Sequence, residues 1–261
     1  MKHFAVIGDP IAHSLSPVLH REIYRQINLE AKFEKIHLMP NALHSFMSEN
    51  ELNGFNVTIP HKQSVIPFLD ELDESAKSIG AVNCVHRGKG YNTDWIAFTM
   101  AIEQNGVDLK EKDCLILGAG GVARAVAFGL VKVGVKSISI QNRTQSKADQ
   151  LLDWVNSIFP NNHPCKNSDV IINCTPLGMW PNTESMPEFI IQKGQLLADT
   201  IYNPLETIWL KNGKEKGAKT IGGLDMFIAQ GLISADIWFD KKISEKIKLE
   251  PIKKVLKSEL C

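Results

Sequence analysis

The chain lacks a surplus of charge: Lys plus Arg and Asp plus Glu stand at 29 each. With no net field there is no global attraction for nucleic acid or an anionic membrane surface, and a small-molecule partner is expected. Cysteine is sparse. Cys84, Cys114, Cys165, Cys174 and Cys261 include no CxxC pair and no zinc-like spacing. That argues against a disulfide scaffold and for a reduced, cytoplasmic chain. No HExxH is present, so a metal hydrolase finds no support and no metal is expected. Long apolar runs are also missing; none approaches the about eighteen consecutive residues of a spanning helix. The opening MKHFAVIG is cut off at once by Gly8-Asp9-Pro10 and reads as a first strand rather than a signal-peptide core. The sequons at Asn56, Asn142 and Asn173 are therefore not expected to carry glycan. Repeats, low-complexity tracts and long charge blocks are absent.

What is present is a chain of 261 residues, 44% hydrophobic, enough for a substantial core in two modest domains. Short apolar runs alternate with helical periodicity. Phe4–Ile7 reads as a strand; Pro17 then opens a helix with Leu19, Ile23 and Ile27 on one face. Strands are expected at Phe33–Leu38, Phe55–Ile59 and Val82–Val85, helices near Ala42–Glu49 and ending near Ser78, and a tight turn at Gly88-Lys89-Gly90. This predicts an α/β domain with a largely parallel sheet, because parallel neighbours need crossover connections.

A fresh βαβ unit follows Asn105-Gly106, with strands at Cys114–Leu117 and Ser137–Gln141 around a helix over Gly121–Val133. Further strands fall at Val170–Cys174, Leu196–Ile201 and Lys219–Ile221, with helices over Gln145–Ile158 and Leu205–Lys216. Pro176, Pro181, Pro187 and Pro204 punctuate the loops. Leu224–Phe239 and Pro251–Leu260 are helical by pattern and have no strand partner, so they are expected to return to the first domain.

LILGAGGVAR, Leu115 to Arg124, is the strongest local signal. In a dinucleotide-binding turn the first glycine makes the bend, the second lets backbone approach a pyrophosphate, and the third position allows close packing. Gly118, Gly120 and Ala123 fill those roles, with a strand before and a helix N-terminus after. A structural turn and a methyltransferase pocket are the alternatives. At the end of the next strand the acid that would hold a ribose 2′-hydroxyl is missing; the chain reads Gln141-Asn142-Arg143-Thr144-Gln145-Ser146-Lys147. A guanidinium, hydroxyls and an ammonium suit a 2′-phosphate, which favours NADP over NAD and over S-adenosylmethionine. Otherwise Arg143 and Lys147 are solvated residues at a helix start.

In open α/β sheets ligands bind beyond the carboxyl ends of strands. There the first domain places His13, Ser14 and Ser16, then Thr58, His61 and Lys62, then Asn83, then Asn92, Thr93 and Asp94. Singly each has a bland role: Ser16 and Thr93 as helix N-caps, Asn83 as a turn residue, Asp94 as a first-turn acid. Together they suit a small, polyhydroxylated, carboxylated ligand. Lys62 with Asp94 would form its strongly polar acid-base pair, able to exchange a proton with an alcohol oxygen during nicotinamide hydride transfer.

These residues resemble the shikimate dehydrogenase family almost end to end. The likeness runs through GDPIAHSLSP (Gly8–Pro17), FNVTIPHK (Phe55–Lys62), GAVN (Gly80–Asn83), YNTD (Tyr91–Asp94), GAGG (Gly118–Gly121), NRT (Asn142–Thr144), NCTPLGM (Asn173–Met179), YNP (Tyr202–Pro204) and GLDMFIAQ (Gly223–Gln230). The resemblance implies NADPH-dependent, reversible reduction of 3-dehydroshikimate to shikimate, on the route to aromatic amino acids. It implies Lys62 and Asp94 as the catalytic pair, and Ser14, Ser16, Thr58, Lys62, Asn83, Asp94, Tyr202 and Gln230 around the substrate. The cofactor side would be Gly118, Ala119, Gly120, Gly121, Val122, Asn142, Arg143, Thr144, Lys147, Thr175, Gly223 and Met226.

It further implies an α/β substrate domain of residues 1–98 and 227–261 and a Rossmann-type, doubly wound NADP domain of residues 99–226. Between them would lie a cleft that closes to exclude water, in a monomer or homodimer. Trp95 and Ala97 replace glycines found in many relatives, Cys84 a threonine and Lys147 an arginine; Trp95, beside Asp94, is the largest departure. Rival readings are a dual-specificity quinate/shikimate dehydrogenase using NAD and a catalytically silent sensor on the same fold. The missing acid after Gln141 counts against the first, and the intact Lys62 and Asp94 against the second.

Overall fold

The computed structural model describes residues 1–165 and 167–260; Cys261, counted above, lies outside the described residues. Met1–Thr93 with Ile228–Glu259 form one compact unit, and Asp94–Phe227 form a second. The first divide thus falls at the Thr93–Asp94 junction, a few residues before the expected boundary.

The chain begins β1 (Lys2–Gly8), α1 (Ser16–Gln26), β2 (Ala31–His37), α2 (Leu43–Glu49), β3 (Gly54–Val57), α3 (His61–Ser64), β4 (Glu71–Leu72), α4 (Glu74–Ile79), β5 (Cys84–His86) and β6 (Lys89–Tyr91). These strands form one sheet in the order β2-β1-β3-β5-β6-β4. It is less parallel than expected. β2, β1 and β3 run parallel, as do β4 and β6, but β5 runs antiparallel to both β3 and β6.

The reason is a hairpin. Arg87 and Gly88 both take positive φ, 49° and 74°, the pair of left-handed residues that lets a two-residue turn match strand twist. The tight turn is therefore Arg87-Gly88, and Lys89 and Gly90 of the expected turn belong to β6. Gly88 has a second constraint, since a Cβ there would lie 2.0 Å from the Asp70 carboxylate.

Alternation along β1 sends side chains to opposite faces. Ala5 and Ile7 join Phe55, Val57, Val65, Ala76, Val82 and Val85 in one core. Phe4 stacks on Trp238 with ring centroids 4.7 Å apart, beside His20, Tyr24 and Phe33. Burial in this aromatic layer pushes the His20 imidazole down to about 3, so it is neutral at ordinary pH.

The second unit continues α5 (Asp94–Gln104), β7 (Asp113–Leu117), α6 (Gly121–Val133), β8 (Ser137–Gln141), α7 (Gln145–Ile158), β9 (Val170–Asn173), β10 (Leu196–Asp199), α8 (Ile208–Glu215) and β11 (Lys219–Ile221), after which α9 (Leu224–Phe239) and α10 (Leu249–Glu259) follow. Most of α9, with α10, belongs to the first unit. There Gln26, at the end of α1, exchanges hydrogen bonds with the Lys248 backbone.

The second sheet is parallel throughout, in the order β11-β10-β9-β7-β8. Helices cover its faces: Leu115, Leu117, Ile171, Leu197, Trp209 and Leu210 share one core, while α6 buries Ala123, Val126, Ala127 and Leu130. At the outer strand, Asn162 accepts from the Ile138 N–H at 2.8 Å and donates to the Ile138 carbonyl at 3.0 Å. Among the described residues, no helix is long and apolar enough to cross a membrane.

Candidate active site

In the first unit the expected substrate residues gather at the carboxyl ends of β1 and β3 and around β5. Ser14 Oγ donates to Ser16 Oγ at 3.2 Å and accepts from the Ser16 N–H at 3.3 Å. Ser16 is thus the first residue of α1, not its N-cap; Leu15 holds the cap position. Thr58 follows β3 and its N–H donates to the Ile7 carbonyl. The turn that carries Lys62 is anchored by His61. This buried imidazole donates from Nε2 to the Leu38 carbonyl at 2.6 Å, a bond that fixes its tautomer because a carbonyl only accepts. Backbone bonds from Val57 N–H to Asn83 C=O and from Val82 N–H to Lys62 C=O then hold Thr58, Lys62 and Asn83 together.

Beneath them lies a closed ring of neutral polar groups. Asn56 Nδ2 donates to the Asn83 carbonyl at 3.1 Å and to Ser234 Oγ at 2.9 Å. Asn83 Nδ2 donates to Thr93 Oγ1, and Asn83 Oδ1 accepts from the Thr93 N–H. Thr93 Oγ1 and Ser234 Oγ both donate to the Gln230 carbonyl, at 3.3 and 2.9 Å, which closes the circuit. Asn56, Asn83, Thr93 and Ser234 are buried, and buried polar groups hold position only when partnered. The ring therefore fixes the backbone beside Thr58, Asn83, Gln230 and the residue before Asp94.

In the second unit Asp94 opens α5 and is 5% exposed. The ring of Trp95 packs edge-on against Phe128 at 5.3 Å, so the bulkiest departure is turned onto α6. Gly118 takes φ 109°, and a Cβ there would lie 2.9 Å from the Cys174 carbonyl and 3.2 Å from the Thr175 side chain. Only glycine fits. A Cβ at Gly120 would meet nothing within 4 Å, and α6 starts at Gly121 with no side-chain cap. Open space and free N–H groups at a helix start fit a pyrophosphate.

After β8, Asn142 Nδ2 donates to the Thr144 carbonyl and closes the turn, leaving Arg143, Thr144 and Lys147 exposed around the start of α7. With no acid among Gln141–Lys147, this donor set fits a 2′-phosphate and would leave a bare ribose diol without its usual acceptor. Arg124 lies over Trp154 at 4.2 Å, joining α6 to α7. Tyr202 stacks on Phe227 at 4.1 Å, Met226 is buried, and Gly223 approaches the Thr200 and Ile201 carbonyls so closely that a Cβ would lie 2.6–2.7 Å away.

The floor under β9 and β10 is a buried carboxylate. Asp199 Oδ1 accepts from Asn173 Nδ2 at 3.1 Å and from the Ile201 N–H at 3.0 Å, and Oδ2 accepts from Thr207 Oγ1 at 2.8 Å. Asn173 Oδ1 accepts from Thr175 twice, N–H at 3.0 Å and Oγ1 at 2.6 Å. Burial raises the Asp199 carboxyl to about 6, against the lowering pull of its hydrogen bonds.

Residues 6–85 match the family model described as shikimate dehydrogenase substrate binding domain, and residues 100–193 match the one described as shikimate / quinate 5-dehydrogenase. A shikimate dehydrogenase (NADP(+)) of Bacillus cereus is 41% identical over 254 residues, covering 90% of this chain and 91% of the relative. The chain belongs to the shikimate dehydrogenase family. Its structure agrees. A shikimate dehydrogenase solved in complex with NADP+ is similar with a TM-score of 0.92 and 35% identity, over 100% of this chain and 96% of that one. The Thermus thermophilus shikimate 5-dehydrogenase, solved with NADP(H) and shikimate, gives 0.85 at 30% identity, over 98% and 100%.

For a shikimate dehydrogenase family chain, sequence reasoning singled out the groups that end strands and passed over those beneath them: Asn56, Ser234, Asn173 and Asp199. The available signal was a polar residue in an otherwise apolar element, as in GFNV and LLAD.

Proposed function

We propose that this chain is an NADP-dependent shikimate dehydrogenase, reducing 3-dehydroshikimate to shikimate and running the reverse oxidation, as a cytoplasmic enzyme of the route to aromatic amino acids. The observation that carries the proposal is the likeness to relatives named shikimate dehydrogenase (NADP(+)), 41% identical over 90% of this chain, with the expected polar and glycine positions in place. In this reading the second unit takes the cofactor. Gly118, Ala119, Gly120, Gly121 and Val122 hold the pyrophosphate; Asn142, Arg143, Thr144 and Lys147 hold the 2′-phosphate; Thr175, Gly223 and Met226 line the nicotinamide.

When bound, NADPH supplies the hydride that converts the ketone carbon to an alcohol carbon, and NADP+ is left. The protein supplies the proton. Lys62, as an ammonium, donates it to the oxygen on which negative charge develops and regains it from solvent, so ketone, NADPH and one proton become alcohol and NADP+. Asp94, the other member of the proposed catalytic pair, accepts from a ring hydroxyl. Ser14 and Ser16 donate to the substrate carboxylate, while Thr58, Asn83, Gln230 and Tyr202 orient the hydroxyls.

A spectrophotometric screen of shikimate and quinate, each with NADP and NAD, tests the proposal. Fastest reduction of NADP by shikimate is expected. No turnover with any pair would make the chain a sensor. Faster turnover of quinate with NAD would install the second reading, a dual-specificity quinate/shikimate dehydrogenase, which the match of residues 100–193 to a shikimate / quinate 5-dehydrogenase family model supports.

A further inference from the structure

The geometry points to Asp199 as a positioning residue for the cofactor side, acting through Asn173 to set the Thr175 turn. This rests on the reading that Thr175 lines the nicotinamide. A carboxylate only accepts hydrogen bonds, so Asn173 must turn its NH₂ toward Asp199 and its carbonyl oxygen toward Thr175. A neutral amide at 199 would end that one-way demand and turn a donor toward Thr207 or the Ile201 N–H, leaving the Thr175 N–H alone to orient Asn173.

The turn so fixed is the one whose Cys174 carbonyl and Thr175 side chain pass against Gly118, and Asp199 also holds the Ile201 N–H on the stretch that Gly223 approaches. One buried charge thus sets the backbone at the ends of β9 and β10 and, by contact, the bend after β7. The titratable group facing it is the Cys174 thiol, pushed up by burial and by the Asp199 charge; Thr207 and Ile201 present uncharged donors. Because burial lifts the Asp199 carboxyl to about 6, the constraint is present at neutral pH and lost in mild acid.

The test measures NADPH, NADH and shikimate binding to the full chain and its variants at pH 7.5 and pH 5, the pH values being chosen about one unit or more either side of that titration. Asp199→Asn is expected to weaken both nucleotides about tenfold at pH 7.5, the low end for losing bonds to a charged group, with shikimate unchanged. At pH 5 wild type and variant should converge; NADH controls for titration of the 2′-phosphate itself. Asn173→Ala, which cuts the relay in the middle, should weaken the nucleotides similarly, and the double variant no further. Nucleotide binding within threefold of wild type at pH 7.5, an equal loss of shikimate binding, additive losses in the double variant, or a gap that persists at pH 5 would each overturn the inference. A wild type that binds neither nucleotide would instead bring down the reading beneath it.

Discussion

The two units support the residues expected to bind by opposite means. Under the first lies a circuit of amides and hydroxyls with no charge, closed on the Gln230 carbonyl. Under the second lies one ionisable carboxylate whose partners radiate from it. No group in the neutral ring ionises near neutral pH, so its strength is shared among amides, hydroxyls and one carbonyl and is insensitive to pH. A buried anion imposes direction on its neighbours, at the cost of a pH at which it lets go.

The largest break in this contrast is chemical. Lys62→Ala should lower turnover about 10²–10⁴-fold, the range for loss of a general acid-base, while NADP titrations stay close to wild type. Turnover near wild type would remove Lys62 from the mechanism. Next comes stability against pH. The Asp199 carboxyl moves from 3.8 to about 6 on folding, so its ionisation costs the native state on the order of 3 kcal/mol at neutral pH. The neutral form is favoured in the fold; this contribution is full below about pH 4 and disappears as pH rises through 6. Denaturant unfolding of wild type and Asp199→Asn across that window should give a difference that shifts toward the variant as pH rises, then levels. A flat difference would mean the group titrates normally.

A smaller effect is expected at the β8–α7 turn, where Arg143→Ala should raise the KM for NADPH about 10- to 100-fold and leave that for NADH nearly unchanged. Equal losses would move the 2′-phosphate elsewhere. Smallest is the ring: Ser234→Ala should cost about 1 kcal/mol of stability and raise the KM for shikimate severalfold, without a pH window and without touching nucleotide binding. A pH-dependent deficit there would erase the distinction between the two floors.

Much of the fold was legible because hydrophobic period and turn chemistry agree. The helices over Gly121–Val133, Gln145–Ile158 and Leu224–Phe239 and the strand at Ser137–Gln141 run as the pattern predicts. The first sheet was misread where strands are too short to show a period: β4 has two residues, and the β5–β6 hairpin turns on an arginine with positive φ that no composition rule flags. The expected site residues were picked out as short polar or charged groups beside strand ends, exposed as at Arg143 or buried as at Asn83. Asn56 and Ser234 were not, since one sits inside an apolar strand, the other inside an apolar helix, and 178 residues separate them. Asp199 lies inside the expected strand Leu196–Ile201, and only its burial and three donors identify it as a floor.

Asn162 has a quieter consequence. Its side-chain amide offers Ile138 the same donor and acceptor that a neighbouring peptide would, so a single residue impersonates one rung of a missing strand. The margin of the sheet that bears the Asn142–Thr144 turn is thereby finished off locally, and an incoming chain that tried to extend the sheet there would have to displace a bond already made.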